Sequence, residues 1–536
     1  MDTPPLKYNI LQPLLLASCM AVGMMAGYKL NDLKDPGLVD IYAYPEEKNG
    51  EVGTVEELIR FIENRYIDTI HRDLLTEDAI RAVFSRLDPY SDYLSPGEFE
   101  DYGQRMDGTF RGVGIEIQKV KDTFYVRHVI PGSSASKQGI KIFDKLLTVN
   151  GDTLLGEKRS IEEIGSMIGQ KVGMSVELTI QREGKKLHFD LTTEDLAVPT
   201  VHAEWLPEIK TCFVKIDYFA RGTYREFMQA IEPYFENGRA KHLILDLRGN
   251  PGGYIPEATN VLCQIFEEKE KILFTTKNRS HKTYEYKSTG KQFFEIDQVV
   301  VLIDSETASA SEIVAGSVQD WDRGIIIGAQ SYGKGLVQEQ YPLKNGGSLR
   351  LSVEKYYLPS GRSIQKPSHL SANVLQNIEG AIVSEPNTTI QNGTEYKTLI
   401  RGRKVEAFSG IIPDIQVDNG VSSNELDAVN DILNTFVFAY LTQYKDDLPK
   451  DRISLQSWQI PADVYTRFST YLKEETGIDR IPESWHRSAF FEAFKEEVSE
   501  ILFKKQDTDV LNGEKDPFLR AAILAIQEKK AVSATK

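Results

Sequence analysis

The chain has 536 residues, enough for about three or four ordinary domains, and its 41% hydrophobic and 26% charged residues are those of a globular protein. A net charge of -16 argues against the basic surface that a phosphate backbone requires, so nucleic acid is not an expected partner. Three cysteines (Cys19, Cys212 and Cys263) and eight histidines without paired spacing imply no disulfide framework and no metal site, and no cofactor is expected.

Residues 10–28, ILQPLLLASCMAVGMMAGY, carry no charge over about 19 positions, nearly the span of a bilayer helix, and Lys7 precedes them. The expectation is a membrane anchor within residues 1–30 that leaves the bulk of the chain extracytoplasmic (periplasmic). Leu16, Ala17, Ser18 and Cys19 also read as a lipid-attachment box, so a lipoprotein through Cys19 stays open, as does a cleaved signal. Residues 31–52 are polar, with Pro and Gly, and read as a linker. Within 53–107, TVEELIRFIENRY and TEDAIRAVFSRL place apolar residues at helical spacing, each opened by a Thr followed by acidic residues; DPYSDYLSPGE reads as a turn cluster.

Over 108–197 the pattern becomes one of short strands: GVGIEIQKV, TFYVRHVI, KLLTVN, MSVELTIQ and KLHFDLTT, with a single helix, SIEEIGSMIGQ, among them. Over 198–420, strands such as CFVKIDYF, HLILDLRGNPGG, QVVVLIDSE and GIIIGA alternate with helical segments, which predicts an α/β layer with a mostly parallel sheet. Functional residues gather at the carboxyl ends of such strands, where residues 248–253, 307–311 and 330–334 lie. Residues 366–404 are polar and irregular and read as an insertion; residues 421–536 read as helical and carry no chemical motif. The predicted class is a multidomain α/β protein: N-terminal helices, a small β-barrel-like domain, an α/β core and a helical C-terminal region.

Residues 328–335, GAQSYGKG, come within one letter of a phosphate-binding loop. Gly335 stands where a hydroxyl would bind Mg²⁺, and Pro342 and the Gly346-Gly347 turn belong to strands and a hairpin rather than to a helix, so the nucleotide reading is disfavoured. Lys334, flanked by Gly333 and Gly335 after an apolar strand, is instead a candidate neutral amine, able to activate a serine if burial lowers its pKa. The alternative is a surface lysine in a turn. Ser309, Ala310, Ser311 and Glu312 fit a helix capping box, and the N–H groups of such a terminus can also stabilise an oxyanion.

RGVGIEI followed by VIPGSSASKQGIKIFDKLLTVNG resembles a PDZ domain, which adds an extended peptide C-terminus to a sheet edge and receives its carboxylate on loop N–H groups. The resemblance assigns that loop to Gly112, Val113 and Gly114, with Ile115 opening the strand. LILDLRGNPGG at 243–253, ETASASEIVAGSVQDW at 306–321 and SYGKGLVQ at 331–338, with LDPYSDYLSP before them and GIIPDI after, resemble the carboxyl-terminal processing peptidases, PDZ-containing serine/lysine proteases of bacteria. The likeness covers about residues 53–420. It implies Ser309 as nucleophile, Lys334 as base and Gln338 as the support of the lysine. Oxyanion donors would be Ala310 N–H and a glycine N–H, Gly252 first and Gly253 close behind. Ser305 and Ser311 compete with Ser309, but Ser311 falls two residues short of the family's spacing to the lysine. Along a strand, Gln338 would stand about 13 Å from Lys334, so a direct hydrogen bond requires a bend after Gly335. The implied function is a serine endopeptidase of the cell envelope acting on protein or peptide substrates with free C-termini. An inactive PDZ scaffold or a ligand-binding protein on the same core is the alternative. A membrane and a second copy, joined through the N- and C-terminal helical regions, complete the expected partners.

Overall fold

The computed structural model describes residues 53–154, 159–169, 171–366, 395–417, 423–444, 448–476, 487–503 and 516–528. The predicted anchor, Cys19, the linker and most of the 366–404 insertion lie outside the described residues.

Helices α1 (Thr54–Arg65), α2 (Arg72–Phe84) and α3 (Pro96–Asp107) open the described chain, with a short strand β1 (Asp92–Leu94) before α3. Thr54 is the first residue of α1, as expected, but Thr76 does not open α2. Gly53 and His71 occupy the cap positions, and the Thr76 hydroxyl donates to the Arg72 carbonyl (2.8 Å) from inside α2. The turn cluster also holds more order than its composition suggests, because Asp88 accepts from Tyr90 N (2.9 Å), Ser91 N (3.0 Å) and Ser91 Oγ (2.7 Å) and presents β1 to the core.

The next domain comprises β2 (Thr109–Gly112), β3 (Ile115–Val120), β4 (Thr123–Val129), β5 (Lys145–Val149), β6 (Asp152–Thr153), β7 (Ser175–Arg182), β8 (Lys185–Thr192) and β9 (Glu194–Ala197), with helices α4 (Ser134–Gln138) and α5 (Ile161–Ile168). The order β3-β4-β5-β7-β8 leaves β3 at an edge with α5 beside it, while β2 pairs separately with β9. Alternating residues such as Phe124, Val126, Leu178 and Ile180 form its core.

The mostly parallel sheet runs in chain order: β10 (Val201–Leu206), β11 (Thr211–Ile216), β12 (His242–Asp246), then, beyond the hairpin β13 (Lys269–Asn278) and β14 (Thr283–Thr289), β15 (Gln298–Ile303), β16 (Ile325–Gly328) and, past four further strands, β21 (Ile415–Gln416). The β10–β11 pair is antiparallel and the remaining pairs are parallel. VVVLI in β15 is apolar throughout because both faces are covered. Val299, Val301 and Ile303 face helices α6 (Thr223–Phe235), α7 (Ile255–Ile265) and α8 (Ala310–Asp320), and Val300 and Leu302 face the opposite side.

The four strands passed over are β17 (Leu336–Pro342), β18 (Ser348–Tyr357) and a short hairpin, β19 (Tyr396–Lys397) with β20 (Lys404–Val405), which gives order to the end of the predicted insertion. β18 pairs with β17, with β13 and with β1, building a second, antiparallel sheet that carries the N-terminal segment against the core.

The C-terminal region is helical, as its pattern predicts. Helices α9 (Ser423–Gln443), α10 (Arg452–Ser457), α11 (Val464–Thr476) and α12 (Arg487–Phe503) share an aromatic core that includes Phe436, Phe468, Phe490 and Phe494. This bundle rests on the outer face of β3 and β4: Phe438 meets Tyr125 at 6.2 Å and Phe143 at 5.4 Å, and Arg127 pairs with Glu497 at 2.9 Å. The last helix, α13 (Pro517–Gln527), parts from the bundle and buries Phe518, Leu519, Ala522, Ala525 and Ile526 against the second face of the core sheet.

Candidate active site

Three loops leave the carboxyl ends of adjacent parallel strands β12, β15 and β16, where an open α/β sheet offers backbone groups to a ligand. The first, residues 247–253, is held from within by Asn250, which is fully buried. Its amide donates to the Ile216 carbonyl (2.8 Å), its side-chain oxygen accepts from Gly252 N (2.9 Å), and its own carbonyl accepts from Ala308 N (3.0 Å). Gly252 has φ 100°, and a Cβ there would lie 2.8 Å from Ser309 Cβ and 3.0 Å from Ala310 N, so the loop and the serine touch only because position 252 lacks a side chain. Since the Gly252 N–H is turned to Asn250, the N–H of Gly253 is left without an acceptor among the described residues, as is that of Ala310.

The second loop, residues 304–309, is folded by Asp304, which accepts from Gly249 N (2.9 Å), Glu306 N (3.0 Å) and Thr307 N (3.0 Å). It ends at Ser309, whose φ of 55° and ψ of -117° lie in a region that non-glycine residues seldom adopt. The three serines of the motif are placed differently. Ser305 is exposed, Ser309 is half-buried beside Gly252, and Ser311 is fully buried, its hydroxyl without a partner among the described residues.

The third loop carries Lys334. Glu312, one turn into α8 and fully buried, accepts from Ser331 Oγ (2.6 Å) and Gly333 N (2.7 Å) on one oxygen and from Ser309 N (2.9 Å) and Lys334 N (2.9 Å) on the other. The backbone nitrogens of Ser309 and Lys334 therefore lie within two hydrogen bonds of each other. Burial pushes the Glu312 carboxyl above its usual range, and the four donors pull the other way. On the opposite side, the hydroxyl of the buried Tyr356 lies against the carbonyls of Ser309 (3.2 Å) and Lys334.

The Lys334 amine donates to Gln338 Oε1 (2.7 Å). The bend that this bond requires is present: Lys334 precedes β17, and the pairing of β17 with β18 shifts register between Val337 and Gln338. The Gln338 amide donates in turn to the Tyr90 carbonyl, and the Tyr90 ring stands 5.3 Å from the lysine nitrogen. Burial, then the nearby Arg350 charge, lowers the Lys334 pKa to about 8, against weaker opposing attraction from Asp88 and Glu312. The sequence does not single out Tyr90, Tyr356 or Asn250, and it marks Glu312 only as a cap. Tyr90 sits inside LDPYSDYLSP, so a signal for it existed, but nothing local to that stretch points to a lysine on another domain.

In the smaller domain, Gly112 closes β2, and Val113 and Gly114 link it to β3. Val113 O accepts from Ala135 N (2.9 Å) and Gly114 O from Ile130 N (2.9 Å), while neither N–H has an acceptor among the described residues. Gly114 has φ 90°, and a Cβ there would fall 2.1 Å from Ser133 Cβ. Ile115 then opens the edge strand.

A family model described as peptidase family S41 matches residues 210–378, and one described as PDZ domain matches residues 112–193. The chain is 31% identical to a carboxy-terminal-processing protease of Bartonella bacilliformis over 328 residues, 59% of this chain and 74% of that one. It is 27% identical to the carboxy-terminal processing protease CtpB of Bacillus subtilis over 400 residues, 71% of this chain and 82% of that one. A solved structure described as a photosystem II D1 C-terminal processing protease aligns with 68% of this chain and 93% of its own at 23% identity, with a TM-score of 0.37.

The lysine environment has a measurable consequence for stability. A folded-state pKa of about 8 against the ordinary 10.5 means that the unfolded chain holds the proton more tightly, so the penalty for burying Lys334 is full below pH 8 and fades as pH rises to 10.5. At about 1.4 kcal/mol per pKa unit, Lys334→Met is expected to gain up to about 3 kcal/mol over the parent chain at pH 7 and progressively less toward pH 10. Urea unfolding of both chains at several pH values measures this; a difference that stays constant with pH would show that the amine is not desolvated.

Proposed function

The chain belongs to the carboxy-terminal processing proteases of peptidase family S41, serine-type hydrolases acting on peptide bonds, and we propose that it works by a Ser309/Lys334 acyl-enzyme mechanism in the cell envelope. The observation that carries the reading is the buried Lys334 amine, its pKa lowered to about 8, on a loop that shares the Glu312 carboxylate with Ser309. Neutral Lys334 takes the proton of Ser309 Oγ as that oxygen attacks the scissile carbonyl. Ala310 N–H and the unengaged Gly253 N–H receive the oxyanion; Gly252 supplies the clearance that lets them converge. The lysine ammonium then passes its proton to the leaving amine as the C–N bond breaks and an ester forms on Ser309. In the second half the neutral lysine takes a proton from water, which attacks the ester and restores the serine. Gln338 Oε1 keeps the amine aimed, itself held by the Tyr90 carbonyl. An inert scaffold would have no use for a desolvated lysine or for a serine at positive φ.

Substrates are proteins or peptides, and the PDZ domain selects them by free C-termini. The unengaged N–H groups of Val113 and Gly114, next to the open edge of β3, support this assignment. The uncharged run at 10–28 supports an anchored chain with its bulk outside the cytoplasm, and the exposed Val55, Leu58, Phe61, Leu74 and Val83 on α1 and α2 support a second copy as a partner. Cell fractionation with protease added from outside tests the first, a lipidated Cys19 or full solubility counting against a helical anchor. Sedimentation of Leu58→Glu/Phe61→Glu tests the second: the parent should sediment as a dimer and the variant as a monomer.

Ser309→Ala and Lys334→Arg are each expected to lower kcat/KM by at least about a thousandfold, because arginine keeps the charge but cannot act as a neutral base. Ser311→Ala is expected to be much milder. Strong hydrolysis by Lys334→Arg, or a serine-directed probe found on Ser311, would sink the mechanism. For the PDZ role, the Ser309→Ala chain should bind peptides with free apolar C-termini and lose affinity when those termini are amidated; equal binding would rule out carboxylate capture.

A further inference from the structure

The oxyanion loop described above is supported from outside the peptidase motifs. Arg248 stands between the end of β12 and Gly249, and its guanidinium faces two carboxylates, one two residues back on β12 and one from the far C-terminal region. Asp246 accepts from Nε (2.8 Å) and Nη2 (2.6 Å), and Asp516 accepts from Nη1 (3.2 Å) and pairs with Nη2 (2.8 Å). The group also lies 5.0 Å from the centre of the Phe518 ring. Asp516 is itself fixed, because it caps α13 by accepting from Phe518 N (2.8 Å) and Leu519 N (3.3 Å). The helix is fixed in turn by five buried side chains and by Gln298, whose amide donates to the Ile526 carbonyl (3.3 Å).

We propose that Asp516 is a positioning residue for hydrolysis, acting through Arg248 to hold the loop that ends in Gly252 and Gly253. The inference rests on the reading of that loop as one half of the oxyanion hole. Its inner side is already tied by Asn250, and Gly249 N is tied to Asp304. The strand-side entry is held by Leu247 N on the Leu302 carbonyl (3.0 Å), Thr307 Oγ1 on the Leu247 carbonyl (2.9 Å) and Lys215 Nζ on the Arg248 carbonyl (3.2 Å), and the guanidinium, clamped between the sheet end and the C-terminal helix, adds a tie that reaches α13. Asp246, on the strand itself, reports only the position of the sheet. Asp516 couples the loop to an element that packs beneath the sheet, so the loop has supports on both sides. A donor displaced by about 1 Å is enough to cost an enzyme a large part of its rate, and this is the sensitivity on which the proposal depends.

Asp516→Asn is the discriminating substitution, since asparagine caps a helix as well as aspartate does but cannot pair with the guanidinium as an anion. In the full chain we expect kcat to fall about tenfold with KM changed less than about twofold. The inhibition constant of a peptidyl boronate, which forms a tetrahedral adduct on the serine, should weaken by the same factor. Peptide binding to the Ser309→Ala chain should be the same with and without Asp516→Asn, and the urea midpoint should stay close to that of the parent. Asp516→Glu, which restores the charge, should recover part of the lost kcat. Parent-like kcat and boronate inhibition in Asp516→Asn, with Ser309→Ala inactive, would overturn the inference and leave the serine/lysine mechanism standing. A loss of kcat matched by an equal loss of peptide binding and of unfolding midpoint would also overturn it, by marking Asp516 as structural only. Retained hydrolysis in Ser309→Ala would bring down both.

Discussion

One carboxylate sets the geometry on which the site depends. Glu312 is fully buried and takes hydrogen bonds from Ser309, Ser331, Gly333 and Lys334, which belong to loops following two different strands. A buried carboxylate without partners costs several kcal/mol, and charge-assisted hydrogen bonds each return about 1.5–3 kcal/mol, so the group is tolerated only if both loops come to it. The same requirement explains the residues around it. Gly333, at φ 89°, turns its N–H inward where the Lys366 side chain would leave no room for a Cβ, and Ser331 also accepts from Ile411 N (2.6 Å), which draws the GIIPDI stretch into the network.

Around that carboxylate the lysine is made into a different group from a surface lysine. Among the described residues its amine has one polar partner, Gln338, with an aromatic ring on one side and the Arg350 charge nearby. Each of these comes from a different part of the fold: β17, the N-terminal segment and β18. The antiparallel sheet built on β18 is what assembles them, because β18 pairs with β1 and β17 at once. The N-terminal segment is thus part of the catalytic core in space, though it precedes the PDZ domain in the chain. The C-terminal region is divided in a comparable way, its aromatic bundle resting on β3 and β4 while α13 closes the core sheet.

The sequence carried the architecture further than it carried the details of the site. The alternation of strand and helix predicted the parallel sheet, and the wholly apolar VVVLI is what a strand covered on both faces must be. The capping-box pattern at Ser309 marked the start of α8 correctly and recorded the bond from Ser309 N to Glu312, but it gave no sign that the same carboxylate reaches the lysine loop. Thr76 misled because acidic residues after a threonine are also common one turn inside a helix, and tertiary packing set the start of α2 at Arg72. As oxyanion donor the motif puts Gly252 first and Gly253 close behind, whereas the proposed mechanism uses Gly253. The reason for that proposal is Asn250, whose side-chain oxygen accepts the Gly252 N–H.

What the sequence determined by itself is whatever depends on neighbours within a few residues. That includes the order of the domains, the strand and helix periods, the glycines needed at positive φ, and the serine, lysine and glutamine that stand in the motifs. What the tertiary structure alone decided is every contact between segments far apart in the chain. Gln338 meets the Tyr90 carbonyl across 248 residues, and Arg248 meets Asp516 across 268. Such contacts leave no period or spacing to read, because they exist only after burial of apolar faces has brought separate elements together. The lowered pKa of Lys334 is of this kind as well, since desolvation is a property of everything that surrounds the amine rather than of the residues beside it in the chain.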